Sequence, residues 1–160
     1  MSVTVILPNK YQFLTDPKAM AELSNDVFPV ADRVPGTIGE GFDLQSWYSA
    51  VLRTVTDEAK EGLPAGQPTH LTVRAADEFQ ATIPWGQLSK ALFQYAVDGL
   101  PLAKGQPIRL YVPDGTSACL NVKSVVTVKI VSDALLGEDA TYGFLNEVSP
   151  SLMLKGLKSR

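Results

Sequence analysis

Thr69-His-Leu-Thr-Val-Arg74, Ala75-Ala-Asp-Glu78 and Phe79-Gln-Ala-Thr-Ile83 follow one another in the middle of the chain, and their reading decides the fold class. The first and third pieces alternate apolar and polar residues and are rich in β-branched and aromatic side chains, as half-buried strands are. The short polar piece between them suits a turn. Strands joined by so short a link pair antiparallel, because a parallel pair needs a long crossover. The stretch therefore reads as a β-hairpin.

Upstream, residues 43–61 carry Leu44, Trp47, Tyr48, Val51, Leu52, Val55 and Ala59 as one helical stripe, with Asp43 as cap and Gly62 as stop. Residues 28–41 hold Pro29, Pro35, Gly36, Gly39 and Gly41 and read as a long loop. Before it, residues 3–7 read as a strand ended by Pro8. Asp16-Pro17 reads as a helix start, with Ala19, Met20, Leu23 and Val27 at helical spacing.

Downstream, residues 84–97 read as a second helix, with Leu88, Ala91, Leu92 and Tyr95 on one face and Asp98-Gly99 as its end. Residues 107–112 read as a strand, Pro113-Asp-Gly115 as a turn and residues 121–131 as a long alternating strand. The remainder, 132–160, is mixed in pattern and is expected to wrap the domain or stay loose. Helices interleaved with hairpins predict an α+β (mixed α/β) fold, with a mixed sheet and helices packed on it.

The 160 residues suit one domain, 1–160, large enough to hold together by its own core. A net charge of −3 lacks the positive field that nucleic-acid binding needs. Cys119 is the one cysteine and His70 the one histidine, which excludes a disulfide framework and multi-cysteine or multi-histidine metal sites. The start, Met1-Ser-Val-Thr-Val-Ile-Leu-Pro8, lacks the basic region and long apolar core of a leader, and no apolar run is long enough to span a membrane. A cytoplasmic location is expected.

Four segments in order resemble a known family. Asp77-Glu-Phe-Gln-Ala-Thr-Ile-Pro84 is similar to its hairpin motif, and Phe93-Gln-Tyr-Ala-Val-Asp-Gly-Leu-Pro-Leu102 to the segment that follows it. Gly105-Gln-Pro-Ile-Arg-Leu-Tyr-Val-Pro113 is similar to its "G-x-P-x-R-L" strand, and Asn121-Val-Lys-Ser-Val-Val-Thr-Val-Lys-Ile130 to its "V-K-W" strand. The family is the sulfite-oxidase-like molybdopterin-binding oxidoreductase domain. The resemblance implies that Arg109, Asn121, Val122 and Lys123 contact a pterin cofactor and its phosphate, with Asp77 nearby. A guanidinium and an ammonium suit phosphate oxygens.

This chain departs from the family at three places. Lys104 stands where the family has histidine, and Ser124 where it has tryptophan. The family's molybdenum-ligating cysteine lies upstream of the hairpin, where this chain has none; Cys119 lies downstream. Fold does not carry activity with it. The resemblance therefore points to a non-catalytic binding or interaction protein with no cofactor. The alternatives are an oxidoreductase that still takes molybdopterin through an atypical site, or a protein-interaction module. The partner stays open: the resemblance allows a pterin or a small anion, and a homodimer is an open arrangement.

Other residues read more plainly. Cys119 is expected to be a small buried packing residue, His70 a satisfied or exposed histidine, and Asp77-Glu78 a hairpin turn rather than an acid–base pair. Gly36-Thr-Ile-Gly-Glu-Gly41 has no strand before it and contains Glu40, so it is expected to be a plain loop rather than an anion-binding helix start. Trp47 and Trp85 are expected in the core. The tail Leu154-Lys-Gly-Leu-Lys-Ser-Arg160 has too few charges for membrane or nucleic-acid binding.

Overall fold

The computed structural model describes residues 1–145 and shows an α+β fold of two sheets with helices packed on them. The chain runs β1 (Val3–Ile6), β2 (Gln12–Thr15), α1 (Pro17–Ser24), β3 (Val27–Pro29), β4 (Glu40–Asp43), α2 (Leu44–Thr54), α3 (Asp57–Lys60), β5 (His70–Ala75) and β6 (Phe79–Pro84). It continues through β7 (Leu92–Val97), β8 (Leu100–Pro101), β9 (Arg109–Tyr111), β10 (Val125–Val131) and β11 (Thr141–Phe144). One sheet has the order β11-β6-β5-β10-β1-β2. All its neighbours pair antiparallel except β1 and β10, which run parallel with Thr4 opposite Thr127. The second sheet has the order β3-β4-β7-β8, and β9 also pairs with β7.

The β5–β6 hairpin stands as the alternation predicts. Leu71, Val73, Ala81 and Ile83 point inward, while Thr72 and Thr82 meet on the other face with hydroxyls 2.9 Å apart. One buried cluster draws on both sheets and on α1 and α2: Val5, Val73, Val128, Phe42, Phe93, Met20 and Trp47 all belong to it. α1 packs against α2, and both lie against β4.

The segment 84–97 is not a helix. Trp85–Gln87 form a 3₁₀ turn, and β7 follows. β7 is the central strand of its sheet, with β4 on one edge and β9 and β8 on the other. Leu92, Phe93, Gln94 and Ala96 are all buried, so the strand's period of two is hidden. A short run covered on both faces cannot be told from a helix by periodicity; its Phe93, Tyr95 and Val97 are strand formers.

The segment 28–41 is not simply a loop, because β3 and β4 flank it and pair with each other. Val27 begins β3 rather than extending α1, since Asn25 takes the left-handed conformation that ends the helix. Gly41 lies within β4. A Cβ there would sit 2.8 Å from the Phe93 carbonyl oxygen, so glycine is what lets β4 approach β7.

The predicted helix 43–61 is broken at Thr54-Val-Thr56. The Thr54 hydroxyl donates back to the carbonyls of Ala50 and Val51, Val55 is extended, and the Thr56 side chain caps α3. The predicted strand 121–131 begins only at Val125, because the Asn121 side chain accepts from the Val112 amide and Ser124 has positive φ. Of the segment 132–160, the described part places β11 along β6. The tail 154–160 lies outside the described residues.

Tyr48 is buried edge-on to Trp85, with ring centroids 5.7 Å apart, and burial pushes its phenol up to about 12. The folded state therefore holds this proton more tightly than the unfolded chain, whose tyrosine titrates near 10. The associated stability is complete below pH 10 and is lost as pH rises toward 12. Unfolding midpoints measured across that window should fall, and fall less in Tyr48→Phe; equal declines in both proteins would contradict the assignment.

Candidate functional site

The β5–β6 turn and the loop leading into β10 are brought together by strand pairing. Val125 lies opposite Ala75, and the Ala76 amide donates to the Ser124 carbonyl at 2.9 Å. Between them is a small hollow of about 240 Å³, lined by Asp77, Phe79, Cys119, Asn121, Val122 and Lys123, with Ala75. Four of the five residues that the resemblance singles out therefore meet in one place.

Several of their polar groups already have structural partners. The Asp77 carboxylate accepts from the Phe79 amide at 3.1 Å, a bond that shapes the turn. The Asn121 side-chain oxygen accepts from the Val112 amide at 2.8 Å. Val122 is buried, and its carbonyl accepts from the Leu110 amide at 2.8 Å. Lys123 is exposed. Asp77 and Lys123 put one charge of each sign at the rim.

Arg109 does not line the hollow. On β9 its neighbour Leu110 points into the main core, so Arg109 and Tyr111 share the opposite face. The guanidinium lies 4.7 Å from the Tyr111 ring centroid, a cation–π contact, and its Nε is buried without a hydrogen-bond partner.

The hollow does not fit a whole molybdopterin. Its volume is below the roughly 300–1,000 Å³ of pockets that enclose ligands of that size. Its single ammonium is countered by a carboxylate, and the guanidinium expected on the phosphate is on another face. Among the described residues no group of three or more His, Cys, Asp or Glu is placed to hold a metal ion.

Cys119 departs from the sequence expectation. It is exposed at the hollow rather than buried. The Ser117 hydroxyl accepts from its amide and starts the 3₁₀ turn Ala118–Leu120. In so short a turn one residue faces the core, and the more apolar Leu120 takes that place. That preference was the available signal.

The other singled-out residues are structural. His70 is buried with Nε2 2.7 Å from the Gly137 carbonyl, which ties the segment before β11 to β5. Gly39 and Gly41 pack against β7. Trp47 and Trp85 are buried, as expected.

A second and larger concavity, about 820 Å³, opens between α1 and the β7–β8 edge. Sequence reading missed it because its walls, residues 16–27 and 95–107, are far apart along the chain. Tyr95 forms part of its wall, and burial, then the Glu40 and Glu22 carboxylates, push its phenol upward. Glu40 also accepts from the amides of Asp98 and Gly99 and so holds the β7–β8 turn. No helix among the described residues is long and apolar enough to cross a membrane. No protein-family model matches the chain, and no curated protein matches it.

Proposed function

We propose that the chain is a binding domain without redox catalysis of its own, on a scaffold similar to the sulfite-oxidase-like molybdopterin-binding domain. Its ligand is a free pterin or a similarly small planar heterocycle. The convergence of Asp77, Asn121, Val122 and Lys123 on one hollow supports this reading. A pterin edge presents neighbouring N–H donors that a carboxylate such as Asp77 can accept, and a ring oxygen that suits an ammonium such as Lys123. Phe79, packed against Tyr142 and Phe144, gives a planar ligand an aromatic neighbour at the hollow.

Pterin fluorescence on titration with the protein tests this. Saturable quenching is expected, weakened about tenfold by Asp77→Asn or Lys123→Ala and unchanged by Arg109→Ala, on the scale of one lost charged hydrogen bond. Absence of quenching, or equal quenching by all variants, would overturn the assignment. Metal analysis for molybdenum and tungsten on protein made in a host that synthesises the cofactor is the companion measurement. Near-stoichiometric metal with pterin would overturn the non-catalytic reading and put a molybdopterin-dependent oxidoreductase first.

A further inference from the structure

The cleft between α1 and the β7–β8 edge shares no residue with the hollow, so a ligand held there does not compete with one in the hollow for side chains. Its volume of about 820 Å³ is within the range of enclosed-ligand pockets. Its apolar wall includes Ala21, Val27, Tyr95, Pro101 and Pro107. Val27 is 44% exposed, an apolar surface with nothing over it among the described residues.

The charges on the cleft are unequal. Asp16, Glu22 and Asp26 line it, against Lys18 and the amino end at Met1, and Glu40 acts on Tyr95 from the side. The Asp16 side chain is held at the start of α1 by the Ala19 amide, so Glu22 and Asp26 are the more available carboxylates. The Tyr95 ring adds a π face, which attracts cations. The carboxylates are not gathered as metal ligands are. A cation that fits must carry its own apolar body and accept a spread of negative charge.

We propose that this cleft binds an organic ammonium: a protonated amine on an apolar stem, with the stem on Ala21, Val27 and Pro107 and the charge facing Glu22, Asp26 and the Tyr95 ring. Charge complementarity selects this occupant over a neutral or anionic one.

Calorimetric titration of the full chain with phenylbutylamine, phenylbutanol and phenylbutyrate near neutral pH tests it. The amine should bind about tenfold tighter than the alcohol, and the carboxylate more weakly than either. The preference should shrink as salt rises. In the double variant Glu22→Gln/Asp26→Asn, which alters two exposed side chains outside the core, the preference should fall to about twofold. Tyr95→Phe, which keeps the ring, should retain it, and Tyr95→Leu should reduce it. The proposal is overturned if the alcohol binds as tightly as the amine, if the carboxylate is preferred, if the double variant keeps the full preference, or if the amine does not bind.

Discussion

Phe93→Ala should destabilise the protein by about 3–5 kcal/mol, the range for deleting a fully enclosed aromatic side chain. Phe93 is fully buried on the central strand β7. Its ring stands edge-on to Trp47, with centroids 6.1 Å apart, and tilted against Phe42 at 5.8 Å. It thus joins α2, β4 and β7 at one point. The void cannot close by strand movement, because β4 already touches β7 as nearly as backbone allows at Gly41. Phe93→Leu keeps most of the volume and should cost under about 2 kcal/mol. Urea unfolding of the two variants gives the comparison, and a loss below about 1 kcal/mol for alanine would show that this joint is not central.

Asp43→Ala should cost about 2–4 kcal/mol, through two separate losses. One carboxylate oxygen accepts from the Ser46 amide at 2.8 Å and caps α2. The other is paired with Arg33, whose guanidinium also reaches the Lys90 and Ala91 carbonyls and lies 4.5 Å from the Phe28 ring centroid. Asp43 is 8% exposed, so its removal leaves Arg33 without a counter-charge in a mostly dry place. The cost is below that of breaking a fully enclosed pair, because the Arg33 side chain keeps 27% of its surface in water. Asp43→Asn retains the cap and should lose about half as much. Equal losses for the two would refute the capping role. A double-mutant cycle with Arg33→Met should give a coupling of about 1–2 kcal/mol, and additivity would mean the ion pair contributes nothing.

The parts of this fold that sequence reading reached are those with one wet face. β5 and β6 alternate cleanly because Thr72, Arg74, Gln80 and Thr82 face away from the core. β7 escaped because it is enclosed on both faces and both edges, so burial no longer follows period two. β4 escaped because Glu40-Gly-Phe-Asp43 is brief and contains a glycine whose purpose, approach to Phe93, exists only once β7 is a strand. The same logic applies to the candidate site. Asp77 and residues 121–123 meet because the β5–β10 pairing brings them together, and that pairing follows from two legible strands. The position of Arg109 depends on which way β9 faces, and Leu110 decides that by entering the core. The cleft at Tyr95 had no local signature, since its walls come from segments joined only by tertiary packing.

The parallel seam between β1 and β10 bears on how the chain is made. β1 is made long before β10, its partner, whose Thr127 lies opposite Thr4, and among the described residues β2 pairs with β1 alone. A nascent chain leaving the ribosome can close the β5–β6 hairpin early, from contacts near in sequence. It must hold Val3 and Val5 exposed until nearly the whole of the described chain has emerged. Chaperone engagement during translation should therefore centre on this first strand.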